Sequence, residues 1–233
     1  MTSLDPLLPY LYDGYTDTWT PAQWAILRAL AEGCNPGGRA EPAVTKMLCA
    51  VGGPIGHSLA NIFLDTAGRP ASPNAEMIDL DIQIARSSRR VPDIGIRDAV
   101  ADQLLLVAEG KRDAHINVGK CGLDPDGSGS QVICYLHGCW TSPDALKGAA
   151  FLWLHPSDID PWKECWHDMH LDNPSYVERA GGQERLRRWI DTERAATRQW
   201  RTATWEDLVA RVRDLREPAA DVIAAIIGTW LGR

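Results

Sequence analysis

Lysine is scarce in this chain, with five against 31 acidic residues, and the formal net charge is −7. An acidic chain repels a polyanion at long range, so any contact with nucleic acid has to come from local clusters of arginine. No run approaches the ~18 uninterrupted apolar residues of a membrane-spanning helix, and no membrane span is expected. The start, Met1 to Pro6, lacks a basic region followed by an apolar run, which predicts no secretory signal and makes the cytoplasm the default compartment. Six cysteines, at 34, 49, 121, 134, 139 and 165, form no paired Cys-x-x-Cys framework. In a reducing compartment they are most simply free thiols acting as small buried hydrophobes. Internal repeats, a Gly-rich phosphate loop and a Gly-x-Ser-x-Gly elbow are absent too, which removes several enzyme classes.

What is present fits one domain of 233 residues, with 45% hydrophobic and 24% charged residues. A lead over 1–38 contains a helix opened by Thr20-Pro21 and closed by Gly33. Pro42 near the start of the next helix suits the first turn, with Val44, Met47 and Leu48 on its apolar side. Residues 52–74, rich in Gly, Pro and Ser, read as loops around a helical turn at Leu59 to Leu64. Met77 to Ile84 alternates as a half-buried strand, with Asp79 and Asp81 on its polar side. A flexible loop over Asp113 to Ser130 leads to a helix from Gln131, and Phe151 to Leu154 reads as a core strand. The C-terminal third is expected to be helical over Gln183 to Trp200, Thr204 to Arg216 and Pro218 to Leu231, Thr204 opening a capping-box-like start.

The chemistry concentrates in two short runs, Val91 to Arg97 and Leu104 to Lys111. Residues two apart in a strand point to the same side, so Glu109 and Lys111 share a face while Leu104, Leu106 and Ala108 take the other. Pro92 suits the first position of a strand and sets Asp93 at its mouth. The link from Asp98 to Gln103 is of hairpin length, and antiparallel pairing brings Asp93 near Glu109. Two carboxylates then converge beside one ammonium. Hard oxygen ligands hold Mg2+, which polarises a phosphoryl oxygen and lowers the pKa of a bound water. Lys111 is suited to orient that water or to stabilise the developing charge. Asp98 and Asp79 are rival acids for the place of Asp93.

Pro92-Asp93 followed by Glu109-Gly110-Lys111 resembles the PD-(D/E)XK nucleases. The resemblance spans residues 39–156. It implies an α/β, restriction-endonuclease-like fold, a mixed central sheet flanked by helices, with 157–233 as a helical C-terminal extension. It further implies that Glu41, on the helix before the sheet, and Gln131, on the helix after the catalytic strand, support the site. Gly110 departs from the family pattern, where an apolar residue is more usual; it leaves room for a ligand backbone or signals a bulge.

The expected activity is hydrolysis of DNA phosphodiester bonds with Mg2+, or Mn2+ in its place, in restriction or phage defence. Arg86, Arg89 and Arg90, just before Pro92, are candidates for tracking the phosphate backbone. The run Arg185, Arg187, Arg188, Arg194, Arg198 and Arg201 serves equally as a solvated helix face paired with Glu184, Asp191 and Glu193. A homodimer suits cutting both strands of a duplex. The alternative is a catalytically inactive nuclease-fold module that binds a protein or nucleic-acid partner. A zinc hydrolase using His167 and His170, with Cys134, His137 and Cys139 as a second thiol and imidazole group, is the third reading.

Overall fold

The computed structural model describes residues 40–80, 93–111, 118–120, 128–130, 148–158, 174, 177–178, 181–188, 191 and 200–231. The helix expected over Thr20 to Gly33 lies outside them. The first described element is helix α1, Ala40–Ala50, with Pro42 in its opening turn, where a missing N–H costs nothing.

Helix α2, Gly53–Thr66, replaces the loops expected over 52–74. The Gly and Pro that suggested a loop sit at the boundary: Gly52 is the N-cap, Pro54 follows at the helix start and Gly53 has φ 66°. Both residues start helices as readily as they break them. Behind them Ile55, Leu59, Phe63 and Leu64 recur at helical spacing and are buried. A polar relay ties α2 to the following strand. His57 Nδ1 donates to the Ala75 carbonyl at 3.1 Å, its Nε2 accepts from Asn61 at 3.1 Å, and Asn61 Oδ1 accepts the Ser72 N–H at 2.8 Å.

Strand β1 is Ala75–Ile78, shorter than the 77–84 expected. Asp79 leaves the strand and Leu80 is already helical. The apolar alternation persists as packing: a Cβ on Gly95 would come within 2.7 to 2.9 Å of Leu80 and Ile78, so both side chains lie over that glycine. β2, Ile94–Asp98, and β3, Gln103–Gly110, form the expected antiparallel hairpin. A bulge sits between Ile96↔Leu106 and Arg97↔Leu104, leaving Leu105 as the extra residue.

β4, Val118–Lys120, and β5, Ser128–Ser130, pair antiparallel within the segment expected to be a flexible loop. β6, Ala150–His155, is the predicted core strand. β7, Trp200–Thr204, corrects the expected helix that was to end at Trp200. Part of that helix is present over 183–188. The switch to strand follows from packing, because the Trp200 ring lies 4.9 Å from Phe151 and 5.6 Å from Trp153, edge-on to the latter. The chain closes with α3, Trp205–Arg213, and α4, Pro218–Leu231. Thr204 caps α3, its Oγ1 accepting the Asp207 N–H at 3.0 Å.

The fold is α/β, a five-stranded mixed sheet in the order β1-β2-β3-β6-β7 with flanking helices. β1, β2 and β3 run antiparallel, whereas β3, β6 and β7 are parallel. Met77, Ile96, Leu106 and Leu152 share one core with residues from helices α1 to α4. The reverse face, carrying Val107, Glu109, Phe151, Trp153 and Trp200, is buried as well. Residues 200–231 therefore belong to the central packing: they supply an edge strand and two helices of the core.

Candidate active site at the end of the β2 and β3 hairpin

The last register pair of the hairpin at this end is Ile94↔Ala108, and one further step sets Asp93 opposite Glu109. The Asp93 carboxylate finishes the ladder: its Oδ2 accepts the Gly110 N–H at 2.9 Å, where a backbone carbonyl would otherwise serve. Glu109 is 1% exposed and Lys111 13%, with Lys111 Nζ 2.6 Å from Glu109 Oε1. The second carboxylate oxygen of Glu109 is buried too. Removing two charges from water is expensive, so an ion pair this buried is weak evidence for stability in its own right. The structure thus brings Lys111 onto Glu109 and seats the Asp93 carboxylate on the main chain of the residue between them.

Main-chain bonds hold the strand end. The Lys111 N–H donates to the Leu154 carbonyl at 2.9 Å, and the Lys111 carbonyl accepts the Trp205 indole N–H at 3.1 Å. Gly110 is required by that tryptophan: a Cβ there would stand 2.4 Å from Trp205 Cζ2. The space expected for a ligand backbone is thus filled by the protein's own ring, and the bulge lies instead at Leu105.

The rival acids separate. Asp98 sits at the opposite end of the hairpin, paired with Gln103. Its Oδ1 accepts the N–H groups of Val100 and Ala101, each at 2.9 Å, and its Oδ2 the Ser72 hydroxyl at 3.1 Å. These bonds, led by the one from Ala101, hold its carboxyl below the usual carboxylate range. Asp98 closes the turn. Asp79 lies at the site end, because Ile78 pairs with Gly95 and the next step along β1 leads toward Ile94 and Asp93; Cys49 is near the C-terminus of α1. Burial first, then the charges of Asp79 and Asp93, push the Cys49 thiol far above its ordinary value.

Glu41 occupies the first turn of α1, eight residues or about 12 Å along the axis from Cys49; it is placed by the backbone alone. Gln131, Arg86, Arg89 and Arg90 lie outside the described residues, as do Asp81, Cys134, His137, Cys139, Cys165, His167 and His170.

Two residues at this end were not singled out from the sequence. Trp205 is fully buried beneath the strand end, with Trp230 edge-on at 5.0 Å. His155 follows Leu154, the partner of Gly110, and alternation gives it the face of Trp153 and Glu109. Its Nδ1 donates to the Pro156 carbonyl at 2.8 Å, which leaves the Nε2 lone pair available in the neutral ring. A capping threonine followed by tryptophan was visible in the chain, but only the strand order makes Trp205 and His155 neighbours of this end.

As donors for a cation, Asp93 and Glu109 offer hard oxygens of the kind Mg2+ takes. Among the described residues no group of three or more His, Cys, Asp or Glu gathers to hold a metal. Two carboxylates match the habit of Mg2+, which keeps several waters and uses substrate phosphates as further ligands. Among the described residues no helix is long and apolar enough to cross a membrane. Comparison with protein-family models, curated proteins and solved structures returns no match for this chain.

Proposed function

We propose that this protein is a Mg2+-dependent nuclease that hydrolyses DNA phosphodiester bonds, with a restriction-endonuclease-like arrangement of the PD-(D/E)XK type. The observation that carries the reading is the buried Glu109 held 2.6 Å from Lys111, beside Asp93 at the same end of the hairpin. Charges kept buried at a strand end at such a desolvation cost need a use. Asp93 and Glu109 are the residues to hold the cation, with Mn2+ able to replace Mg2+. When bound, the ion supplies charge stabilisation at a phosphoryl oxygen and a more acidic water.

The chain's own groups do the rest. Glu109 holds and aims the Lys111 ammonium, and the ammonium orients the attacking water or neutralises charge building on the phosphoryl oxygens. Water oxygen bonds to phosphorus as the bond to the leaving sugar oxygen breaks. The water's proton passes to solvent, and the leaving oxygen takes one back. Glu41 and Gln131 are proposed as supporting residues, and Arg86, Arg89 and Arg90 as phosphate contacts that offset the net charge of −7. A homodimer acting on both strands, and a setting in restriction or phage defence, complete the reading.

The test is cleavage of plasmid, linear and single-stranded DNA, with RNA alongside, in Mg2+ or Mn2+. Wild type is compared with Asp93→Ala and Lys111→Ala, each checked for folding, with cation binding followed by calorimetry. Cutting by wild type alone supports the site. Cutting that survives both substitutions sinks it. The second reading, an inactive module of the same fold, draws on the acidic balance and on the engagement of Asp93 by Gly110 and of Glu109 by Lys111. It expects no cation binding and no cutting.

A further inference from the structure

We propose that Trp205 is a positioning residue of this site: it holds the main chain of Gly110 and Lys111 so that the lysine ammonium stays on Glu109. Only the kinetic consequence rests on the nuclease reading; the effect on the ion pair stands apart from it.

Lys111 is the first residue beyond β3, where a ladder would ordinarily fray. Three main-chain groups of Gly110 and Lys111 are nevertheless fixed there by three different segments of the chain. Asp93, ahead of β2, takes the Gly110 N–H; Leu154 of β6 takes the Lys111 N–H; Trp205 of α3 donates to the Lys111 carbonyl. The indole also lies against Gly110 so closely that no Cβ fits between them.

Trp205 is itself immobilised. It opens α3 directly after the capping Thr204, the last residue of β7, and Trp230 of α4 meets its ring edge-on at 87°. A buried tryptophan needs a partner for its N–H. Spending that donor on the Lys111 carbonyl joins the hydrophobic core to the candidate chemistry. A lysine side chain has several rotamers to lose, and holding its ammonium on one carboxylate demands a fixed origin for the chain. Trp205 supplies that origin through the main chain of Gly110 and Lys111.

The experiment uses the full chain. Trp205→Phe keeps an aromatic ring in the core and deletes the N–H donor. Trp205→3-benzothienylalanine, introduced at that single codon, keeps the ring size as well and stands in should phenylalanine not fold. Phe63→Leu, a core change on α2, controls for general loss of stability. The lysine ammonium groups are followed by heteronuclear NMR, where five lysines keep the spectrum sparse, and cleavage is measured in parallel.

In both Trp205 variants the Lys111 ammonium protons are expected to exchange about fivefold faster or more, the factor expected for one lost hydrogen bond. The value of kcat is expected to fall roughly 10- to 100-fold with KM within about twofold, because orientation rather than binding is lost. Phe63→Leu leaves both readouts within about twofold. A folded Trp205 variant whose Lys111 exchange matches wild type overturns the proposal. If wild type cuts nothing, the nuclease reading fails, and the Lys111 exchange alone decides the role of Trp205.

Discussion

Gly110→Ala is the substitution on which the geometry at the strand end makes its sharpest demand. The added Cβ would stand 2.4 Å from Trp205 Cζ2, 3.1 Å from Cη2 and 3.5 Å from Cε2, and real Cβ atoms essentially never come within 3.0 Å of a neighbour. The ring cannot yield easily, being fully buried and braced by Trp230. Overpacking of a tight core costs about 1–3 kcal/mol, and displacing the indole from the Lys111 carbonyl adds about 1 kcal/mol. Against this, alanine reduces the freedom of the unfolded chain, worth about 0.4–1 kcal/mol in its favour. The expected net loss is about 1–3 kcal/mol, or roughly 2–12 °C in Tm for a chain of this size. Urea unfolding at constant m reads it directly. The cause is checked by a double-mutant cycle with Trp205→Leu: once the ring is gone, Gly110→Ala should cost at least ~1 kcal/mol less than in wild type. A Gly110→Ala protein as stable as wild type, or an additive cycle, would refute the account of Gly110.

Other consequences follow from the same geometry. Lys111→Met leaves Glu109 buried without its ammonium and should destabilise by about 2–4 kcal/mol, whereas Lys111→Met combined with Glu109→Leu should recover more than half of that loss in urea titrations. Asp98→Ala should lower stability at pH 7 by opening the 98–103 turn. Because the folded carboxyl titrates below its unfolded value of about 3.9, the contribution is full above that pH and disappears as pH falls through the folded value. The wild type and Asp98→Ala stability curves should therefore converge in strong acid, and a constant gap down to pH 2 would contradict the assignment. The Cys49 thiol, held protonated by burial and by Asp79 and Asp93, should resist alkylation at pH 8 in the native protein and react on unfolding, as mass spectrometry of the labelled peptide would detect.

Much of the candidate site's geometry was legible because its logic is local. Strand alternation joins Glu109 to Lys111, and a proline-led strand with a short link suffices to return Asp93 beside them. The α3 cap at Thr204 and the strand at Phe151 to Leu154 were equally readable, each being written within a few consecutive residues. Where reading failed, position within an element decided and composition misled. Gly53-Pro54 begin a helix instead of a loop. Trp200 joins a strand because Phe151 and Trp153, nearly 50 residues earlier, offer their rings. Asp98 and Asp93 look equivalent in the chain, yet five residues of extended backbone carry them to opposite ends of one hairpin.

By itself the sequence determined the α/β alternation, the apolar faces and the acid, acid and lysine trio, since these depend on periods of two and 3.6 residues that neighbours in the chain express directly. Only the tertiary structure decided that β6 and β7 continue the sheet in parallel beyond β3, which makes residues 200–231 part of the core and not an appendage. It alone set Trp205 against Gly110 and, across 94 residues of chain, against the Lys111 carbonyl, because such a contact depends on strand order and on two surfaces fitting at van der Waals distance. No local pattern encodes that fit.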